Sequence, residues 1–166
     1  MPLAEADRQL MNRVKLFRGM QAAEIDHVLA HGHAVEHGQG ETVFHEGTEG
    51  TRLFIVLDGV VAIRVKGKYL AKCRAGEAFG EMAVLNQRPR SATATASTAV
   101  RLFCLDESDI HAILDHKVAV RFLLNVVYAL SERLEAGNAW TTVAFEEMRQ
   151  RSETRRSESA PAGPHA

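Results

Sequence analysis

Gly76-Glu77-Ala78-Phe79-Gly80-Glu81-Met82-Ala83-Val84-Leu85-Asn86-Gln87-Arg88-Pro89-Arg90-Ser91-Ala92-Thr93-Ala94 is the stretch that decides how this chain reads. It lies among runs rich in β-branched and aromatic residues, yet its centre, Glu81 to Leu85, has helical composition. A helix of a turn or two that opens at a glycine presents unpaired backbone N–H groups and the positive end of its dipole, a setting that suits an anion. Arg90 follows just beyond the bend at Pro89, so its guanidinium can return toward the same place. The planar arginine fork is suited to bidentate contact with phosphate. Glu81 falls in the first helical turn, where a carboxylate is a poor phosphate ligand but a good acceptor for sugar hydroxyls. A small ligand with both a phosphate and a free hydroxyl, a sugar phosphate or a nucleotide, fits this combination. In isolation Glu81 and Arg90 would read as an ordinary surface ion pair, so the frame around them matters.

That frame has three zones with different periodicities. Residues 1–32 read as helical: Leu10, Val14 and Phe17 fall at i, i+4, i+7 before Gly19 stops the run, and Ile25, Val28 and Leu29 share one side of a second short helix closed near Gly32. Residues 33–107 read as β: Thr42-Val43-Phe44, Leu53 to Leu57, Val60 to Val65, Ala92 to Ala96 and Val100 to Leu105 are separated by recurrent glycines. Short strands at this spacing indicate an antiparallel sandwich or barrel. Asp58-Gly59 between two apolar runs predicts a hairpin. In residues 108–148, Ser108 is a candidate N-cap for a short helix over 109–115. A longer helix follows from near Val118, on which Val127, Leu130, Leu134, Gly137, Thr141, Ala144 and Met148 form a coiled-coil-like seam. Residues 149–166 have almost nothing to bury, with four Arg against two Glu, and read as a disordered tail.

Composition removes several function classes. The 166 residues suit one domain with small extras. Lys and Arg total 20 against 21 Asp and Glu, a net charge of −1, which argues against a whole-chain polycation for nucleic acid. The longest apolar runs fall far short of the roughly 20 residues that span a bilayer, and Met1 to Glu5 lacks the features of a secretory signal. A cytoplasmic protein with no membrane span is expected. Cys73 and Cys104 read as small core residues rather than a disulfide. His31, His33, His37 and His45 fit no recognised metal spacing, so no metal is expected. No nucleophile elbow, His-Glu-x-x-His or Walker loop is present, so the chain does not read as an enzyme.

Phe79-Gly80-Glu81-Met82-Ala83-Val84-Leu85 with Pro89-Arg90-Ser91-Ala92-Thr93 resembles the phosphate-binding cassette of cyclic-nucleotide-binding domains. Leu16-Phe17, Gly40, Glu46-Gly47, Leu53 to Val60 and Gly76-Glu77 sit where that family places its turns and core strands, so the resemblance covers roughly residues 10 to 135. It implies an α+β fold: an eight-stranded antiparallel β-barrel of jelly-roll, cupin-like double-sheet type, flanked by N-terminal helices and a long C-terminal helix. The implied cassette spans residues 79–92. In it Gly80 lies close to the ligand, Glu81 accepts from the ribose 2′-hydroxyl, and Arg90 pairs with the cyclic phosphate. Ser91 adds a hydroxyl or N–H to that phosphate, while Phe79, Met82, Ala83 and Ala92 line the pocket. In the catabolite-activator-like branch the helix after the barrel contacts the base. Matching Arg133-Leu134 to that branch points to Asn138 for the purine edge, with Trp140 covering its face. Arg88 reads as a solvated charge or a rim contact.

The expected function is that of a second-messenger sensor for a cyclic nucleotide monophosphate, with cAMP favoured over cGMP and no further cofactor. Ligand contacts are expected to move the C-terminal helix. Expected partners are the nucleotide, a second copy through that helix and an effector protein of unknown identity, with no nucleic acid bound by this chain alone. No helix-turn-helix follows Met148, so the chain reads as stand-alone or as the sensor fragment of a longer transcription factor or channel. The remaining alternatives are a nucleotide-free dimerising interaction domain and, more weakly, a metal-dependent cupin-type enzyme.

Overall fold

The runs of β-branched and aromatic residues become strands because each is bounded by a residue able to leave the extended region. The computed structural model describes residues 5–113, 120–132 and 134–135. The strands are β1 (His33–His37), β2 (Thr42–Phe44), β3 (Arg52–Asp58), β4 (Val60–Val65), β5 (Lys68–Arg74), β6 (Ala78–Phe79), β7 (Thr93–Ala96) and β8 (Val100–Asp106). They pair antiparallel into two four-stranded sheets, ordered β1-β8-β3-β6 and β2-β7-β4-β5. Helices stand at both ends, as the jelly-roll reading requires. The strands stay in two sheets rather than closing into one ring.

The facing sides of the two sheets meet in one apolar core. Phe54, Val56, Phe79, Val100, Leu102 and Cys104 come from the first sheet, and Val61, Cys73, Ala94 and Ala96 from the second. Each position is two residues from the next along its strand, the period that puts side chains on one face. The alternate residues Leu53, Ile55, Leu57, Phe103 and Leu105 are buried as well, so the first sheet is covered on both faces. Both cysteines are free and buried in the core, as expected of small core residues.

One turn differs from the sequence reading. Asp58-Gly59 is not a hairpin, because β3 and β4 belong to different sheets. Gly59 has φ +85°, and a Cβ there would lie 2.3 Å from the Ala99 carbonyl oxygen. The chain therefore turns a corner against the 98–100 loop, where the Val60 N–H donates to Thr98 Oγ1 at 3.0 Å. The hairpin of that sheet is Lys66-Gly67, with φ +49° and +75° between β4 and β5. Positive φ at both central residues is the type I′ pattern whose twist matches the flanking strands.

The helical ends also depart in detail. The run through Leu10, Val14 and Phe17 is divided into α1 (Glu5–Met11) and a 3₁₀ turn, Lys15–Phe17. Val14 between them is extended at φ −63°, ψ 127°. Burial of Met11, Val14, Leu16 and Phe17 in one cluster of turns replaces a continuous helical stripe. α2 (Ala22–His31) opens with a capping box between Gln21 and Glu24. α4 (Glu107–Ile113) starts before Ser108, so Ser108 is not its cap. The Asp109 carboxylate instead accepts from the Asp106 N–H at 3.3 Å.

The chain divides into two compact units, the boundary falling between Val127 and Tyr128. In the first, residues 120–127 are helical, and Phe122 and Val126 are buried. Asn125 Nδ2 donates to the carbonyls of Leu16 and Arg18, both at 2.9 Å, and Arg121 Nη1 to that of Gly19 at 2.6 Å. In the second, residues 128–132 and 134–135 are helical, with Tyr128 and Leu134 exposed. Positions 136–148 of the expected seam lie outside the described residues. No helix among the described residues is long and apolar enough to cross a membrane.

Candidate functional site

The segment 76–94 folds as strand, short helix, loop and strand. Phe79 closes β6 and is buried against Phe54 on β3, their ring centroids 5.3 Å apart. Gly80 then turns into α3 (Glu81–Asn86) at φ +81°, ψ 2°. That left-handed geometry disfavours side chains, and a Cβ at Gly80 would lie 2.8 Å from Arg90 Nη1 and 3.1 Å from the Arg52 carbonyl oxygen. α3 ends at Gln87, also left-handed at φ +49°.

Arg90 is set by both its backbone and its side chain. Its N–H donates to the Thr48 carbonyl and its carbonyl accepts from the Gly47 N–H, both at 2.8 Å. The side chain runs back beneath α3, where Nη1 donates to the Gly80 carbonyl at 2.9 Å. Its guanidinium carbon lies 4.1 Å from the centroid of the Phe44 ring and 5.8 Å from that of Phe54. Phe44, Phe54 and Phe79 form a three-ring cluster across the two sheets. Arg90 is 5 % exposed, and burial pushes its pKa below the usual arginine value. The negative charge that Cys104 carries when ionised and that of Glu81 oppose this shift, while Arg52 adds to it. Burial likewise pushes the Cys104 thiol up to about 11, with the charge of Asp106 adding to it.

The segment thus brings most of the sequence-predicted residues together. Glu81 is the first residue of α3 and only 6 % exposed. Ala83 is buried one turn into the helix, and a Cβ at Gly50 would lie 2.5 Å from its own. Ala92 is buried and Phe79 lies in the core, whereas Met82 is 44 % exposed. Ser91 is exposed, its Oγ 4.0 Å from Met82 Sδ. Arg88 is exposed. Asn138, with Gly137, Trp140 and Arg133, lies outside the described residues. Among the described residues no group of three His, Cys, Asp or Glu could hold a metal ion.

Two residues beside Arg90 had no signal in the sequence. Phe44 reads there only as the last residue of a strand, and Gly50 only as a separator. A contact between positions so far apart in the chain has no local periodicity to reveal it.

Comparison with known proteins identifies the family and the fold. A profile described as the cyclic nucleotide-binding domain matches residues 34–117. The cyclic AMP receptor protein of Thermus thermophilus is 32 % identical over 142 residues, covering 82 % of this chain and 65 % of that protein. A Rhodopseudomonas palustris protein described as a potassium channel is 31 % identical over 122 residues, 71 % of this chain and 29 % of its own. The chain thus spans less than two thirds of either relative. In fold it is similar to a cyclic nucleotide-binding domain from Methylobacillus flagellatus. The TM-score is 0.72 at 24 % identity, over 80 % of this chain and 79 % of that one. With a family profile that matches half of its residues, the chain belongs to the cyclic nucleotide-binding domain family.

Proposed function

We propose that this domain reversibly binds a cyclic nucleotide monophosphate as the receiving element of a second-messenger response, with cyclic AMP preferred to cyclic GMP. The observation that carries the reading is Arg90, a buried cation whose hydrogen bond goes to a carbonyl rather than to a carboxylate. Such a desolvated guanidinium gains strongly from a fitting anion. In this reading Arg90 and the N–H groups at the start of α3 take the cyclic phosphate, and Ser91 adds its hydroxyl or N–H. Glu81 accepts from the ribose 2′-hydroxyl. Gly80 lets the backbone approach the ligand, while Phe79, Met82, Ala83 and Ala92 form the adjoining wall. Asn138 is assigned to the base edge on sequence grounds alone. The preference for cyclic AMP rests on the similarity to the Thermus receptor protein.

The signal leaves, in this proposal, through the helix that follows α4. Its residues 120–127 are tied to the N-terminal turns by Asn125 and Arg121, so a shift of the helix would be passed to both. Its exposed Val120, Leu123, Leu124 and Val127 would form the contact with a second copy or an effector protein. The domain acts as a binding module in the cytoplasm and not as an enzyme.

Calorimetric titration with the two nucleotides side by side tests binding and preference together. Arg90→Glu removes charge-assisted bonds of about 1.5–3 kcal/mol each, so affinity should fall at least about a hundredfold with the far-UV spectrum retained. Absence of heat with both nucleotides, or undiminished affinity in the folded variant, overturns the assignment.

A further inference from the structure

Phe44 and Gly50 lie outside the cassette and carry no polar side chain, yet they border the guanidinium of Arg90. The Phe44 ring covers one face at 4.1 Å from the guanidinium carbon. The ring is itself wedged, 5.9 Å from both Phe54 and Phe79, so it cannot swing aside without disturbing the other two. One edge of the guanidinium is tied by Nη1 to the Gly80 carbonyl. At the other edge lies Gly50, where a Cβ would stand 2.5 Å from Nε and 2.8 Å from Cδ of Arg90. No real Cβ contact is that short, and the same Cβ would stand 2.5 Å from that of Ala83, so any side chain at position 50 would push on both Arg90 and the start of α3. Ring, carbonyl and glycine thus define a slot that fixes the guanidinium plane. Within it, Nε is a buried donor with no hydrogen-bond partner among the described residues. An orphaned donor on a cation is costly, and its presence in a fixed plane points to an acceptor supplied from outside the chain.

We propose that Phe44 and Gly50 are positioning residues for phosphate recognition: Phe44 holds the Arg90 guanidinium by a cation–π contact, and Gly50 leaves room for Nε to keep its place. The proposal rests on the reading of Arg90 as the phosphate partner. Because the slot acts on the phosphate and not on the base, its loss affects cyclic AMP and cyclic GMP alike. A buried cation–π contact supports an expected loss of about tenfold in affinity.

The test titrates wild type, Phe44→Leu, Phe44→Tyr and Gly50→Ala with both nucleotides. Phe44→Leu keeps apolar volume and removes the ring, and should bind each nucleotide about tenfold more weakly. Phe44→Tyr keeps the ring and should stay within about twofold of wild type. Gly50→Ala should lose at least tenfold. A packing role alone would lower stability and leave the affinity of the folded protein unchanged, while the Arg90 Nε–H resonance, which Arg90→Lys identifies by its disappearance, reports the stacking itself. Stacked on the ring, that resonance should lie upfield in wild type and Phe44→Tyr and return to the ordinary arginine position in Phe44→Leu. Should Phe44→Leu fail to fold, Phe44→Met removes the ring with a more adaptable side chain and carries the same expectations. A wild type that binds while the ring-free variant binds equally well, or an Nε–H resonance that does not move, overturns the proposal alone. A wild type that binds neither nucleotide overturns the reading of Arg90 and the proposal with it.

Discussion

Gly80→Ala and Gly67→Ala separate two consequences of placing a side chain at a left-handed glycine. Gly80 has φ +81° and Gly67 φ +75°, so each substitution carries a similar backbone penalty of roughly 1–2 kcal/mol. Their surroundings differ. A Cβ at Gly67 would meet nothing within 4 Å, whereas one at Gly80 would stand 2.8 Å from Arg90 Nη1. The guanidinium must then withdraw and release its bond to the Gly80 carbonyl. A hydrogen bond from a charged donor is worth about 1.5–3 kcal/mol. Gly67→Ala should therefore lower unfolding stability by about 1–2 kcal/mol and Gly80→Ala by about 2.5–5 kcal/mol. Urea denaturation followed by circular dichroism measures both, and titration with cyclic AMP measures the functional difference. Gly67→Ala should bind as wild type does, and Gly80→Ala at least tenfold more weakly. Equal losses of stability together with full affinity in Gly80→Ala would refute the link between Gly80 and the placement of Arg90.

Asn125→Leu removes both bonds from the amide to the Leu16 and Arg18 carbonyls. It should lower stability by about 1–3 kcal/mol, and amide exchange should quicken in the Lys15–Phe17 turn before the sheets are affected. Cys104, whose thiol burial pushes up to about 11, holds its proton in the folded state at pH values where the unfolded chain has released it. Stability should thus fall as pH rises from about 9 toward 11, and Cys104→Ala should flatten that part of a denaturation profile. Thiol reagents should modify Cys104 at neutral pH only as fast as the fold opens.

The core strands and the cassette were legible because their signals are local. Leu53 to Leu57 is an apolar run that two covered faces accept without alternation, and Gly80, Glu81 and Arg90 sit within one short stretch. The edge strands β1 and β5 were less visible. On β5 the outward side carries Lys68, Lys72 and Arg74, charges that suit an unpaired edge but blur the alternation. Asp58-Gly59 misled because a positive φ serves a sheet-changing corner as well as a hairpin, and only the placement of β3 and β4 in different sheets tells them apart. The break after Met11 was hidden because Leu10, Val14 and Phe17 keep helical spacing while packing from separate turns. Phe44 and Gly50 belong to the surroundings of Arg90 through tertiary contact alone.

The two backbone bonds that join Gly47 and Thr48 to Arg90 carry a consequence for how the domain matures. They close a loop of about forty residues, an entropic cost on the order of 3 kcal/mol that is met only once the intervening strands have paired. High-contact-order closures of this kind come late on a folding route. The setting of Arg90 is therefore absent from partly folded chains, and a ligand bound there, as proposed, would select finished molecules. At a ligand concentration a hundredfold above Kd, that selection adds about 2.7 kcal/mol to the folded state. On the proposed function, ligand binding would then also set how much of this protein survives proteolysis.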